Sequence, residues 1–208
     1  LIGNFAKSSH YKDKYRREQL VLGLINIYGV LWLEEIEKLY YKYESTISSV
    51  SFAETVSGSY FLNFLEVKDS KGQNTIYVAP SLEDLEAAIL GIKGRKSILK
   101  ADFTLEEVMA AGDFNFPTPP INKTDKIYTL LKEMGKSQSE ADQWISGFWI
   151  SVNQEKDLNH ILRELSIFFS DTAGMDKAIS IVIDFANRLP KWILKGNSSE
   201  EIFLKHEQ

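Results

Sequence analysis

The chain has 208 residues, of which 44% are hydrophobic and 25% charged, with a formal net charge of −5. These are ordinary values for a globular protein, and 12 Phe, 9 Tyr and 4 Trp supply bulky core material. The absence of Cys excludes disulfides, thiolate metal sites and cysteine nucleophiles and fits an expected cytoplasmic location; both halves are mildly acidic, which argues against bulk polyanion binding, and no run of ~18 apolar residues offers a membrane span.

Residues 1–17 are polar and basic, with Lys7, Lys12, Lys14, Arg16 and Arg17. They read as a solvated lead-in, with a nucleic-acid-binding arm as the sharper alternative. Glu18–Tyr43 is the densest apolar stretch and reads as two helices joined at Gly29. Leu20, Leu24, Ile27 and Tyr28 recur at helical spacing before it, and Leu33, Ile36, Tyr40 and Tyr43 after it. Gly29 suits a left-handed helix end. Ser51 with Glu54 forms a capping box for a short helix near Phe52–Val56, stopped at Gly58. Tyr60–Val67 is rich in β-favouring residues and predicts a strand, with Tyr60 buried beside Leu24 and Ile36. A turn over Lys68–Asn74 leads to a second strand, Thr75–Ala79.

Ser81 is the expected cap of a helix over 82–92, and Gly91 and Gly94 with Arg95 and Lys96 then interrupt the pattern. The basic run Ile92–Lys96 lacks the second glycine and preceding strand of a phosphate loop. It reads as a helix end carrying dipole-favoured cations. Thr104 with Glu107 caps another short helix closed by Gly112, and Asn115–Pro120 must be extended. From Lys123 onward the pattern is helical. Gly135 is a stop, Ser137 with Glu140 and Ser198 with Glu201 are further capping boxes, Asp171 is a cap and Pro190 terminates the longest late helix.

Few residues offer chemistry. His10, His160 and His206 are isolated and read as surface residues. No metal-ligand cluster, nucleophile elbow or glycine-rich phosphate loop is present. Glu34/Glu35, Glu106/Glu107 and Glu200/Glu201 all fall in first helical turns, where the helix dipole accounts for them. The expectation is therefore no catalytic residue, no cofactor and no metal. Residues 43–67 contain no Lys or Arg but do contain Glu44, Glu54 and Glu66. A groove-entering helix meets phosphates with basic side chains, so this composition weighs against DNA recognition.

The segment Leu24–Tyr43, LINIYGVLWLEEIEKLYYKY, resembles the opening of a group of uncharacterised proteins from low-GC Gram-positive bacteria that carry a Leu-x-x-x-Tyr-Gly-Val helix pair. Ile76–Pro80 is similar to their Tyr-x-x-Pro strand end, and Asn187–Ser198 to their Asn-x-x-Pro-x-Trp-x-x-x-Gly-x-[Ser/Thr] ending. Trp32 stands where that pattern often has a Ser or Asp cap. Some members continue into a Cys-rich SEC-C metal-binding tail, which a chain without Cys lacks. The resemblance implies a winged-helix-like domain plus a helical domain in a bacterial cytosolic protein.

The expected architecture is α+β and mostly helical: a winged-helix-like unit with one hairpin over 1–93, a connector over 94–122 and a helical unit over 123–208. The expected role is a non-catalytic interaction or regulatory module with a protein partner and no membrane partner. The alternative is a winged-helix transcriptional regulator that binds DNA. Trp192 with Lys191 and Lys195, and Trp32, are the expected interaction surface. Trp192 is expected in an extended connector, packed on the C-terminal helices near Phe148 or Phe169.

Overall fold

In the computed structural model, residues 9–44, 50–68, 72, 74–121, 125–156, 159–169 and 171–206 are described. Helix α1, Ser9–Tyr28, ends at Gly29, whose φ of 73° is the left-handed conformation expected there. A three-residue strand β1, Val30–Trp32, follows where continuous helix was expected. A short apolar run does not distinguish a strand from buried helix by periodicity alone. Helix α2 covers Leu33–Glu44 and α3 covers Phe52–Ser57, the latter with its Ser51–Glu54 capping box formed in both directions.

The expected strand at Tyr60–Val67 is instead helix α4, Tyr60–Phe64, followed by a short strand β2, Glu66–Lys68. Ser59 causes the difference: its hydroxyl accepts from the Leu62 amide and caps one helical turn, overriding the β preference of the aromatic residues. Tyr60 accordingly lies in solvent, while Leu24 and Ile36 are fully buried.

Strand β3, Thr75–Val78, completes a three-stranded antiparallel sheet of order β1–β3–β2. Leu31 pairs with Tyr77 on one side of β3, and Glu66 pairs with Tyr77 on the other. Phe52 packs edge-on against both Tyr77 and Tyr40, so α3 is seated on the sheet through one aromatic ring.

Helix α5, Leu85–Gly94, is capped by Asp84 rather than Ser81 and runs through Gly91. Helix α6, Leu105–Ala111, has the expected Thr104–Glu107 capping box. The remaining helices are α7 (Lys126–Glu133), α8 (Gln138–Asn153), α9 (Asn159–Phe168), α10 (Thr172–Arg188) and α11 (Ser199–His206). The chain is thus α+β and mostly helical. Ser137 and Glu140, Asp171, and Ser198 with Glu201 make the expected caps. Leu162 on α9 and Ile183 on α10 face solvent. One hydrophobic cluster includes Leu24, Ile36 and Tyr77 together with Val108, Ile145, Phe185 and Trp192, and so spans the stretch expected as a connector.

The closest packing in this core is α1 against α6. A Cβ built on Gly23 would lie 1.9 Å from the Val108 carbonyl oxygen, and one on Gly112 would lie 1.9 Å from the Gln19 carbonyl oxygen. Gln19 Nε2 donates to Met109 O at 2.7 Å and Asn26 Nδ2 to Ala111 O at 2.8 Å. Asn26 thereby meets a carbonyl of the last turn of α6, and Gln19 adds a second donor to Met109 O, which also accepts from the Gly112 amide. At the other end of the molecule, Asp125 caps α7 and takes a two-nitrogen contact from Arg188 in the last turn of α10.

Gly23→Ala forces backbone apart and should cost about 1–3 kcal/mol or more in urea unfolding. Gly147→Ala, in α8 with nothing near its Cβ position, should stabilise by about 0.5–1 kcal/mol. Arg188 holds the Asp125 carboxyl, whose side chain is 6% exposed, below the usual aspartate range. Its stabilisation is therefore complete above about pH 4 and is lost as pH falls through the lowered folded-state value. Asp125→Asn should lower the neutral-pH midpoint and flatten this acid-side slope in parallel melts.

Candidate functional site

Two surfaces stand out, one aromatic and one cationic. The aromatic surface is built on α4. Tyr60 is 82% exposed and Phe64 67% exposed, and their rings meet edge-on at 4.8 Å. One helical turn separates them, so both point off the same side of α4. Phe61 meets Phe114 at 5.7 Å, and Phe114 meets Tyr15 of α1 at 5.1 Å. Phe114 is presented by a turn in which the Asp113 carboxylate accepts from the Asn115 and Phe116 amides. Burial, with the Asp113 charge added, pushes the Tyr15 phenol up. Glu54 on α3 and Glu66 on β2 are exposed beside this surface in the chain. The nearby basic lead-in is helical from Ser9; within it Arg17 is buried and Lys14 pairs with Glu18. Residues 1–8 lie outside the described residues, as do the side chains of His10, His160 and His206.

The cationic surface is a cleft of about 400 Å³ lined by Trp32, Lys93, Lys96, Lys100 and Lys195, with Glu35 in its wall. It brings together two of the residues nominated by sequence, Trp32 and Lys195. Trp32 is half-buried, its ring packed on the cluster of Val30, Ala88 and Ile92, and Lys93 Nζ lies 5.8 Å from the ring centre. The Trp32 amide donates to Glu35 Oε2 at 3.1 Å. This is the backward half of a capping box, with Trp standing where the reciprocal hydroxyl would be. Glu35 Oε1 accepts from Lys100 at 2.6 Å.

Trp192 and Lys191 are placed differently from the expectation. Residues Trp192–Leu194 form a 3₁₀ turn rather than an extended segment, and Trp192 is 4% exposed. The indole packs on Gly29 and donates from Nε1 to Asn26 O at 2.8 Å, one of the carbonyls that the end of α1 leaves free. The Trp192 amide donates to Asn153 Oδ1 at 2.7 Å, and Trp149 Nε1 donates to Pro190 O at 2.9 Å. Trp192 thus joins the end of α8 to the end of α1. Phe148 instead stacks between Trp144 and Phe185. Lys191 is half-buried, and desolvation holds its ammonium below the usual lysine range.

Sequence reasoning missed α4's aromatic side chains because a strand would have turned alternate residues inward. The available signal was Ser59 three residues before Leu62, a helix cap rather than a strand start. Among the described residues no group of three or more His, Asp or Glu side chains converges to hold a metal ion, and no helix is long and apolar enough to cross a membrane. No protein family matches the chain, and neither a curated protein nor a solved structure is similar to it.

Trp192→Ala should cost about 3–5 kcal/mol in a denaturant melt and remove a blue-shifted component of the tryptophan emission. A loss below about 1 kcal/mol would place the indole outside the cooperative core.

Proposed function

We propose that this chain is a non-catalytic, cytoplasmic protein-interaction module. In this reading its N-terminal part is a winged-helix-like unit that uses the surface of α4 for a peptide-like protein segment instead of DNA. The order α1–β1–α2–α3–α4–β2–β3 and the sheet order β1–β3–β2 support the winged-helix assignment. The resemblance of Leu24–Tyr43 to winged-helix-like bacterial proteins points the same way.

The observation that carries the functional reading is the run of exposed aromatic rings, Tyr60 with Phe64 and Phe61 with Phe114 and Tyr15. Exposed aromatic side chains gathered on one short helix and its neighbours are the composition of an interface centre. Glu54, Glu66 and Asp113, neighbours of these residues in the chain, favour a segment with apolar anchors flanked by Lys or Arg, while Lys14 and Arg16 flank Tyr15 at the far end of the set. The same carboxylates oppose a phosphate backbone.

A random peptide library displayed against the full chain tests this reading. Enriched peptides should share aromatic or aliphatic anchors beside basic residues. Tyr60→Ala with Phe64→Ala should weaken them at least about tenfold while moving the unfolding free energy by less than about 1 kcal/mol. Absence of enrichment, or equal binding by the double variant, overturns the proposal. Self-association abolished by the double variant would also overturn it, by assigning the surface to a second copy. Duplex binding tighter than the non-specific range of about 10⁻⁴–10⁻⁶ M would replace it with the DNA-binding alternative.

A further inference from the structure

We infer that the cleft lined by Trp32, Lys93, Lys96, Lys100 and Lys195 binds a small ligand bearing a multiply charged phosphate group, independently of the aromatic surface. The first support is charge. Four lysines and one glutamate line the cleft, in a chain whose net charge is −5. Glu35 is committed to Lys100 and to the Trp32 amide. No carboxylate is paired with Lys93 or Lys96 among the described residues. At the end of α5, Arg95 Nη1 donates to Gly91 O at 2.9 Å, so one of its last-turn carbonyls is already met by another cation.

The second support is that the walls are fixed. Lys195 has a φ of 55°, an uncommon conformation for a residue with a side chain, and Gly196 follows at 83°. This double left-handed turn is held by Lys195 N donating to Trp192 O and by Ala101 N donating to Lys195 O, both at 3.0 Å. Lys195 Nζ donates to Ile98 O at 2.8 Å, and the buried Asn197 donates to Leu99 O at 2.8 Å. Tyr28 OH donates to Ala101 O at 2.7 Å, tying the 98–101 loop to α1. The strained backbone therefore places an ammonium at the cleft wall, and the opposing loop is pinned before any ligand arrives.

The third support concerns ligand class. The free donors are ammonium groups, point charges that suit a tetrahedral phosphate from several directions. No guanidinium fork is aimed into the cleft for a planar carboxylate, since Arg95 is turned back onto its own helix. A space of about 400 Å³ is ample for a pyrophosphate or a nucleotide phosphate tail.

Isothermal titration of the full chain with inorganic pyrophosphate tests the inference, with ADP and a single-stranded oligonucleotide as parallel arms. Saturable one-to-one binding of pyrophosphate should be weakened at least about tenfold by Lys93→Gln with Lys96→Gln. The matched pair Lys126→Gln with Lys177→Gln, exposed lysines on α7 and α10, should leave it unchanged. Thermal melts should show all variants folded, since none of these side chains is buried. Tighter binding of ADP than of pyrophosphate would identify a nucleotide as the source of the phosphate and support the site. A dissociation constant weaker than about 1 mM for both small ligands overturns it. Equal losses in the two variant pairs overturn it as diffuse charge. Binding of the oligonucleotide alone, uncompeted by pyrophosphate, overturns it in favour of a nucleic-acid surface.

Discussion

The contact on which most of the molecule depends is the crossing of α1 and α6 at Gly23 and Gly112. Neither glycine is needed for its dihedral angles; both are needed because a Cβ at either position would sit inside a carbonyl of the other helix. Gln19, Gly23 and Asn26 lie on one face of α1 and act together, with the glycine letting the backbones meet while the two amides satisfy the carbonyls that α6 turns toward them. The crossing also fixes the start of the segment after α6. Asp113 turns the chain immediately beyond Gly112, and that turn delivers Phe114 to Phe61 and Tyr15. One wall of the aromatic surface is therefore set by a backbone contact in the core.

The other end of α1 organises the second surface by the same logic. Gly29 turns the chain into β1, its carbonyl accepts from Ala79, and the neighbouring carbonyl of Asn26 takes the indole N–H of Trp192. A Cβ at Gly29 would come within 2.3 Å of the Trp192 ring, so the glycine serves both the left-handed turn and the close approach. Trp192 in turn fixes where Lys195 begins its left-handed turn and where its ammonium reaches Ile98. The residue nominated from sequence as a binding surface is thus the buried support of a surface formed by its neighbours.

What could be read from the sequence was what depends on local chemistry. The capping boxes at Ser51, Thr104 and Ser137 and the cap at Asp171 each rest on a side chain meeting a backbone group within a few residues, and the stops at Gly29 and Gly135 rest on a left-handed φ that a residue without Cβ adopts freely. The mostly helical content followed from them, and the α+β class from the expected strands, of which Thr75–Val78 is present. What could not be read depends on distant partners. β1 is a strand only because β3 lies beside it; α4 is the exception, since its Ser59 cap is local and was masked by the β preference of the aromatic residues around it. Trp32 and Lys195 share a cleft only through the packing of α5 and the pinned 98–101 loop, which no spacing in the chain encodes.

The distribution of charge between these surfaces bears on the choice between protein and duplex. A winged-helix contact of the usual kind would bring the region of α3 and α4 toward a phosphate backbone. There it would offer Glu54 and a set of bare aromatic rings, with Arg17 withdrawn into the interior. The lysines that could meet phosphates are instead gathered from the end of α5, the loop after it and the turn after Trp192, around a concave space suited to a compact anion. Electrostatic attraction to a duplex needs many cations spread along a surface, because each neutralised phosphate contributes separately. Concentrating them in one cleft forgoes that additive gain while raising the local potential for a single small, multiply charged group. The exposed aromatic rings gain most from removing their faces from water against other apolar side chains.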